Sequence, residues 1–223
     1  MTEEKQLSDT LQDIKQMMER SSRFISLSGL SGIAAGICAL IGAWFAQGVI
    51  ANNPNYSSDY NARGLQTSPL DFKQDISIRD FMGDRLFWIG LATFAAALVT
   101  AFFFTYLRSR KTNIPIWGAT ARKLTWNVGV PMLTGAIFLW KMIETGVYGL
   151  IAPGCLIFYG LALVNASKFT LNEIKYLGYG QLITGILNLW FIGQGLWFWA
   201  FGFGILHIAY GAIMWWKYEK VAE

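Results

Sequence analysis

The sequence predicts an all-α polytopic membrane protein with six transmembrane helices arranged as three helical hairpins. Three observations support this: apolar residues are collected in long blocks, basic residues flank those blocks, and charged residues are scarce. Of the 223 residues, 54% are hydrophobic and only 14% are charged, whereas soluble domains carry about a quarter charged residues. This pattern excludes an ordinary water-soluble domain.

Each predicted span rests on the length of an apolar segment. A helix needs about 20 mostly apolar residues to cross roughly 30 Å of hydrocarbon. Six segments meet this requirement, at residues 26–50, 86–107, 126–143, 147–165, 177–193 and 196–216. The fifth segment is the least apolar at its start, where Gly178, Gly180 and Gln181 lie.

The first 25 residues are polar and are predicted to form a cytoplasmic amphipathic helix. Thr10 and Asp13 have the spacing of a capping box at a helix start. Apolar residues follow at helical spacing, at Leu7, Leu11, Ile14, Met18 and Ile25. The resulting stripe predicts that the helix lies on the membrane, caps the bundle or pairs with a protein partner. No cleaved signal peptide is expected.

Residues 52–85 are predicted to form an external loop between the first two spans. The segment is rich in Asn, Pro, Ser and Asp, which favour turns. Its five aspartates do not have the spacing of an EF-hand, so a solvated surface is the favoured interpretation.

The distribution of Lys and Arg predicts the orientation in the membrane. With both termini inside, 13 of the 18 basic residues lie in cytoplasmic segments. The segment 108–123 alone carries five basic residues and no acidic one. Cytoplasmic segments are enriched in Lys and Arg, so we expect a multi-pass protein of a bacterial inner membrane with both termini in the cytoplasm. Because the basic residues flank apolar blocks, no nucleic-acid partner is expected.

Tryptophans concentrate near the predicted span ends, as in the aromatic belts of membrane proteins. Helix anchoring is the favoured role for the cluster Trp197-Phe198-Trp199, and ligand stacking is the alternative.

The sequence offers no catalytic or metal-binding constellation and predicts no cofactor. His207 is the only histidine, and Cys38 and Cys155 are the only cysteines. Metal sites normally use several such ligands that converge on one point. No phosphate-binding glycine motif occurs either. We therefore expect a non-enzymatic protein.

His207 is a candidate for a polar contact inside the membrane. It lies about 16 Å into the sixth span, since a helix rises 1.5 Å per residue. Thr184 lies at a similar depth on the fifth span, and Asn188 lies nearer the outside. We expect neutral His207 to hydrogen-bond Thr184 or another helix, with Asn188 adding a polar contact in the bundle. Proton sensing or relay is the alternative, because ionisable groups at membrane depth are often functional.

Small residues predict where helices pack closely. Ser28, Gly32 and Gly36 recur every four residues along the first span, a spacing that allows another backbone to approach. Packing within the chain is the favoured interpretation, and formation of a homo-oligomer through this helix is the second.

Short motifs recur in about the last two-fifths of the chain. Leu133-Thr134-Gly135 returns as Ile183-Thr184-Gly185, and Tyr159-Gly160 returns as Tyr210-Gly211. Together with the turn Gly193-Gln194-Gly195, these motifs resemble the two-helix repeat of HdeD-like bacterial membrane proteins over about the last 90 residues. The resemblance implies three such repeats and an association with acid stress, without an enzymatic activity. The charged N-terminal helix and the long external loop depart from that pattern.

Two functions follow as expectations. The first is a non-enzymatic inner-membrane protein, related to stress, that binds membrane lipids or a protein partner through its N-terminal helix. The alternative is a carrier or channel for a small solute or proton that uses the hairpin repeats and His207. A continuous polar cavity between the repeats would favour transport.

Overall fold

A computed structural model describes residues 28–52, 83–112 and 118–218, and these ranges are helical apart from short turns. They contain six long helices: α1 (Gly29–Ala51), α2 (Arg85–Thr112), α3 (Ala119–Glu144), α4 (Ile151–Ala166), α5 (Glu173–Trp190) and α6 (Gly195–Tyr218). A 3-10 turn, Tyr148–Leu150, leads directly into α4. The predicted amphipathic helix at 1–25 and nearly all of the predicted loop at 52–85 lie outside the described residues.

Four helices are long and apolar enough to cross a membrane, namely α1, α2, α4 with its preceding turn, and α6. They coincide with the first, second, fourth and sixth predicted segments, so an all-helical, membrane-compatible fold is confirmed. The other two helices carry more polar groups: α3 contains three basic residues, and α5 contains Glu173, Lys175, Gln181 and Asn188. Spans at α3 and α5 therefore stay predictions.

The exterior of the described helices is strongly apolar. Large side chains such as Trp44, Val99, Ile137 and Trp190 are exposed, while the buried apolar residues are mostly alanines with a few leucines. In water, such a surface would drive aggregation. In a bilayer it contacts lipid tails, and close contact between helices through small residues holds the bundle together.

The helices pack side by side in the order α2, α1, α6, α5, α4, α3. The most extensive contacts join α4 to α5 and α1 to α6. Helices α2 and α3 stand at the two ends of this arc, and both line one cavity. Because α5 packs mainly along α4, the arrangement as three separate hairpins stays a prediction.

Glycines bring α1 and α6 close together. A Cβ atom on Gly36 would lie 2.7 Å from the carbonyl oxygen of Gly204, and one on Gly32 would lie 3.2 Å from the Cα of Gly211. Ser28 is buried at the start of α1, where its carbonyl accepts a hydrogen bond from Ser31 Oγ at 2.5 Å. The predicted row of small residues thus contacts α6 of the same chain through its two glycines.

Two glycines in left-handed conformations follow the ends of helices. Gly146 has φ 73° just after α3, and Gly193 has φ 100° just after α5. A residue with a Cβ atom rarely adopts such angles, so glycine is favoured where a helix stops in this way. Gly193 lies in the predicted turn before α6, and it lets the chain reverse within a few residues.

Candidate functional site

A cavity of about 760 Å³ lies between α2 and α3. Its volume falls in the range of roughly 300–1,000 Å³ that is typical of small-molecule sites. Residues of α1, α4 and α6 also line it, so five of the six helices contribute. Most lining side chains are apolar, among them Leu86, Phe87, Leu91, Phe94, Leu98, Met132, Leu139 and Phe158.

The cavity is elongated along α2. Its lining on that helix runs from Leu86 to Ala101, which corresponds to about 22 Å of helix at 1.5 Å per residue. Because α2 and α3 are the ends of the packing arc, the space between them faces the region that lipid tails would occupy. The shape therefore fits a long apolar molecule better than a compact polar one.

One end of the site contains a polar cluster built around His207. Its Nε2 lies 2.9 Å from the hydroxyl of Tyr159 on α4, and its Nδ1 lies 3.1 Å from the carbonyl oxygen of Gly202. Gln181 Nε2 on α5 donates to the same carbonyl at 2.7 Å and lies 3.4 Å from His207 Nδ1. The cluster thus joins three helices.

A π-helical segment, Ala200–Leu206, precedes His207 within α6. Such segments are rare and frequently occur at functional sites. Here the segment contains Gly202, whose missing side chain leaves room for Gln181: a Cβ atom on Gly202 would lie 2.7 Å from Gln181 Oε1. The local backbone therefore makes the carbonyl of Gly202 accessible to two side chains.

Aromatic rings form one wall of the cavity beside this cluster. The rings of Trp199 and Phe203 lie 5.2 Å apart, as do those of Phe203 and Tyr159, and the rings of Tyr159 and His207 stack at 5.5 Å. All four residues line the cavity. Of the cluster Trp197-Phe198-Trp199, therefore, Trp199 lines the cavity, whereas Trp197 and Phe198 do not.

His207 was expected to bond Thr184 or another helix, and the structure shows the second alternative, with Tyr159 on α4 as the partner. Thr184 Oγ1 donates to the carbonyl of Gly180 in its own helix at 2.7 Å, a bond that helical threonines often make. Asn188 is buried at the end of α5, where its Nδ2 donates to the carbonyl of Phe191 at 3.3 Å. Of the three predicted residues, only His207 lines the cavity.

Tyr159 and Gln181 are the site residues that the sequence did not single out. Gln181 was expected near a span end, but α5 begins at Glu173, so Gln181 lies in its third turn and is fully buried. The oxygens Gln181 Oε1 and Asn188 Oδ1 find no hydrogen-bond partner in the described part of the chain. The sequence signal that could have identified Gln181 is its spacing with Thr184 and Asn188, which places the three polar residues on one face of the helix.

The described residues contain no group of three or more His, Cys, Asp or Glu side chains that could hold a metal ion. Cys155 lines the cavity as a free thiol, and Cys38 is also free. At the far end of α3, Lys141 forms an ion pair with Glu144 at 2.9 Å, as their spacing predicts. The hydrogen bonds from Lys141 and Trp140 lower the pKa of the Glu144 carboxyl.

The cleft therefore combines mostly apolar walls with a polar cluster at one end. Comparison with protein families, with curated proteins and with solved structures finds no match in any of the three.

Proposed function

We propose that this protein is a non-enzymatic integral membrane protein that binds a lipid-like molecule in the cleft between α2 and α3. The observation that carries the proposal is the long, mostly apolar cavity with a small polar cluster at one end. Apolar burial supplies most of the binding free energy in such sites, and a few polar groups fix the orientation.

The packing order supports access from the bilayer. Each helix in the arc from α2 to α3 packs against the next one. The two end helices, α2 and α3, lie on opposite sides of the cavity. A lipid-like molecule could enter sideways between them without crossing an aqueous phase. An apolar ligand of this kind is concentrated in the membrane, so a lateral opening suits it.

The proposal includes the membrane arrangement expected from the sequence: six spans, both termini in the cytoplasm and a bacterial inner membrane as location. Helix α3 has 26 residues and α5 has 18, and both lengths are compatible with roughly 30 Å of hydrocarbon. We also propose, from the sequence, a relationship to HdeD-like proteins and a role in stress. A protein partner for residues 1–25 and a homo-oligomer are likewise proposals from the sequence.

The experiment introduces a bulky side chain at a cavity-lining position where the added atoms do not clash with a neighbouring residue. Gly90 lines the cavity, and a Cβ atom there would have no atom within 4 Å. Gly129 on α3 is equally open but does not line the cavity, so Gly129→Trp is the matched control for Gly90→Trp. Lipids that stay bound through detergent extraction are measured by native mass spectrometry.

We expect the wild type and Gly129→Trp to retain a lipid-like ligand, and Gly90→Trp to retain several-fold less of it. Equal occupancy in all three proteins, or no bound ligand in the wild type, would overturn the proposal. Thermal unfolding of each variant confirms that the fold is kept.

A proton or small-solute carrier is the second candidate. The observation that favours it is the pair of buried oxygens on α5, Gln181 Oε1 and Asn188 Oδ1, which have no partner among the described residues. Buried polar atoms usually bind protein groups or water, and a row of waters could conduct protons. Proton flux into proteoliposomes that exceeds the protein-free rate, and falls in Asn188→Leu, would support this candidate.

A further inference from the structure

The carbonyl of Gly202 fixes the hydrogen-bond direction in the polar cluster. A carbonyl oxygen only accepts, so His207 Nδ1, at 3.1 Å from it, carries the hydrogen. The contact from Gln181 Nε2 to the same ring nitrogen is longer, at 3.4 Å, and Gln181 already donates to this carbonyl. In the neutral ring, Nε2 is then an acceptor.

Tyr159 must therefore donate its hydroxyl hydrogen to His207 Nε2, at 2.9 Å. A tyrosine hydroxyl has one hydrogen to donate and can also accept. Once that hydrogen is engaged, the Tyr159 oxygen can offer only its lone pairs to another molecule. The polar end of the cleft consequently presents a hydrogen-bond acceptor.

The scarcity of charged side chains in the cavity lining restricts the class of ligand further. No Lys or Arg of the described chain lines the cavity, and the carboxylic acid in its lining, Asp84, precedes α2. His207 lies on α6 beside Tyr159 and is 7% exposed. A carboxylate or an ammonium group at this end would be buried without an opposite charge, which costs several kcal/mol.

We infer that the cleft selects a long apolar molecule with a neutral hydroxyl group, such as an aliphatic or isoprenoid alcohol, over one whose polar atom only accepts. This inference rests on the proposed lipid-binding function and adds its chemical specificity. Tyr159 accepts the ligand's hydrogen bond, and His207 acts as a positioning residue that holds the Tyr159 hydroxyl in its accepting orientation.

The test compares 1-hexadecanol with methyl hexadecyl ether, because both have the same chain and only the alcohol donates. Both compounds are added in equal amounts to the delipidated protein in detergent, and native mass spectrometry counts the two complexes. We expect the wild type to bind the alcohol about fivefold better, the value of one net hydrogen bond.

Variants of the two partners should remove the preference for different reasons. In His207→Phe, the hydroxyl of Tyr159 is free to donate to the ether, so binding of the ether should rise and the preference should fall to about one. In Tyr159→Phe, the accepting oxygen is gone, so binding of the alcohol should fall to that of the ether. Tyr210→Phe is the matched control, because Tyr210 lies on α6 and does not line the cavity.

The outcomes separate this inference from the proposal on which it rests. Equal binding of alcohol and ether to the wild type, or an unchanged preference in His207→Phe, overturns the inference and leaves lipid binding intact. Binding of neither compound, or binding that Gly90→Trp does not reduce, overturns both. If His207→Phe does not fold, the wild type and Tyr159→Phe still decide, since a preference that stays unchanged in Tyr159→Phe contradicts the inference.

Discussion

Lys217 Nζ lies 2.5 Å from Glu173 Oε1, and this contact joins the last turn of α6 to the first turn of α5. The hydroxyl of Tyr218 donates to the same oxygen at 2.7 Å. Partial burial acts to raise the pKa of Glu173, but the hydrogen bonds from Lys217 and Tyr218 outweigh it and the pKa lies below its ordinary value. The carboxylate therefore ties two helices together at this end of the bundle.

We expect Glu173→Gln to lower the free energy of unfolding by about 1 kcal/mol or less, because its partner Lys217 is 58% exposed to solvent. Thermal unfolding in detergent at pH 7 measures the change. Glu144→Gln is the matched control, since the partners of Glu144 among the described residues, Lys141 and Trp140, belong to its own helix α3. If both variants unfold at the wild-type temperature, Glu173 does not stabilise the bundle.

The stabilisation from Glu173 should depend on pH in a defined direction. Its pKa is lower in the folded state than the ordinary value of 4.5, so the contribution is complete above that value and is lost as the pH falls through the folded-state pKa. The difference between wild type and Glu173→Gln should be constant from about pH 6 to pH 8 and should shrink as the pH falls below 4.5 and through the folded-state pKa. A difference that grows on acidification would contradict this assignment.

Gly36→Ala should destabilise the contact between α1 and α6. The new Cβ atom would lie 2.7 Å from the carbonyl oxygen of Gly204 and from Cγ1 of Ile208, and overpacking of this kind costs about 1–3 kcal/mol. In the control Gly48→Ala, on the same helix, the added atom has no neighbour within 4 Å. Because alanine has the higher helix propensity, Gly48→Ala should not lose stability, and a similar loss in both variants would contradict close packing as the cause.

Gln181→Met should cost at most about 1 kcal/mol of stability. The variant removes the donor to the carbonyl of Gly202, but His207 Nδ1 still donates there, and an unpartnered oxygen is removed as well. The control Gln194→Met changes an exposed residue just before α6. A loss above about 3 kcal/mol would indicate that Gln181 Oε1 holds a further partner, as the carrier hypothesis requires.

Tags at the two termini should report from the same compartment. The proposed six spans would place both ends and the basic segment 108–123 in the cytoplasm, because positive residues favour that side. Accessibility of each tag to protease in intact spheroplasts measures the arrangement, with a tag inserted in the segment 52–85 as the external control. Protection of one terminal tag and digestion of the other would contradict six spans.

The positions of the helices could be predicted because span length and apolar content leave little choice. The segment predicted at 147–165 corresponds to Tyr148–Ala166, and that at 196–216 corresponds to Gly195–Tyr218. In lipid, every backbone polar group must be satisfied within the segment, so a long apolar run becomes a helix almost regardless of its neighbours.

The partners of the helices could not be predicted in the same way. Lipid-facing and helix-facing residues are both apolar, so hydropathy does not tell which face of α2 or α3 borders a cavity. His207 was expected to bond Thr184 or another helix; the Thr184 hydroxyl bonds within its own helix, and Tyr159 on α4 is the partner. The partner of His207 depends on the hydrogen bond that Thr184 makes within its own helix and on the order in which the helices pack. Neither can be inferred from the length of the spans.

The π-helical segment Ala200–Leu206 sets the rotation of everything that follows it in α6. Deleting one residue there would turn the rest of the helix by about 100°, the angle per residue of a regular α-helix. The shortened chain would keep enough hydrophobicity to insert, but its imidazole would leave the cleft. Under the proposed lipid-binding function, such a variant would still enter the bilayer but would no longer select its ligand.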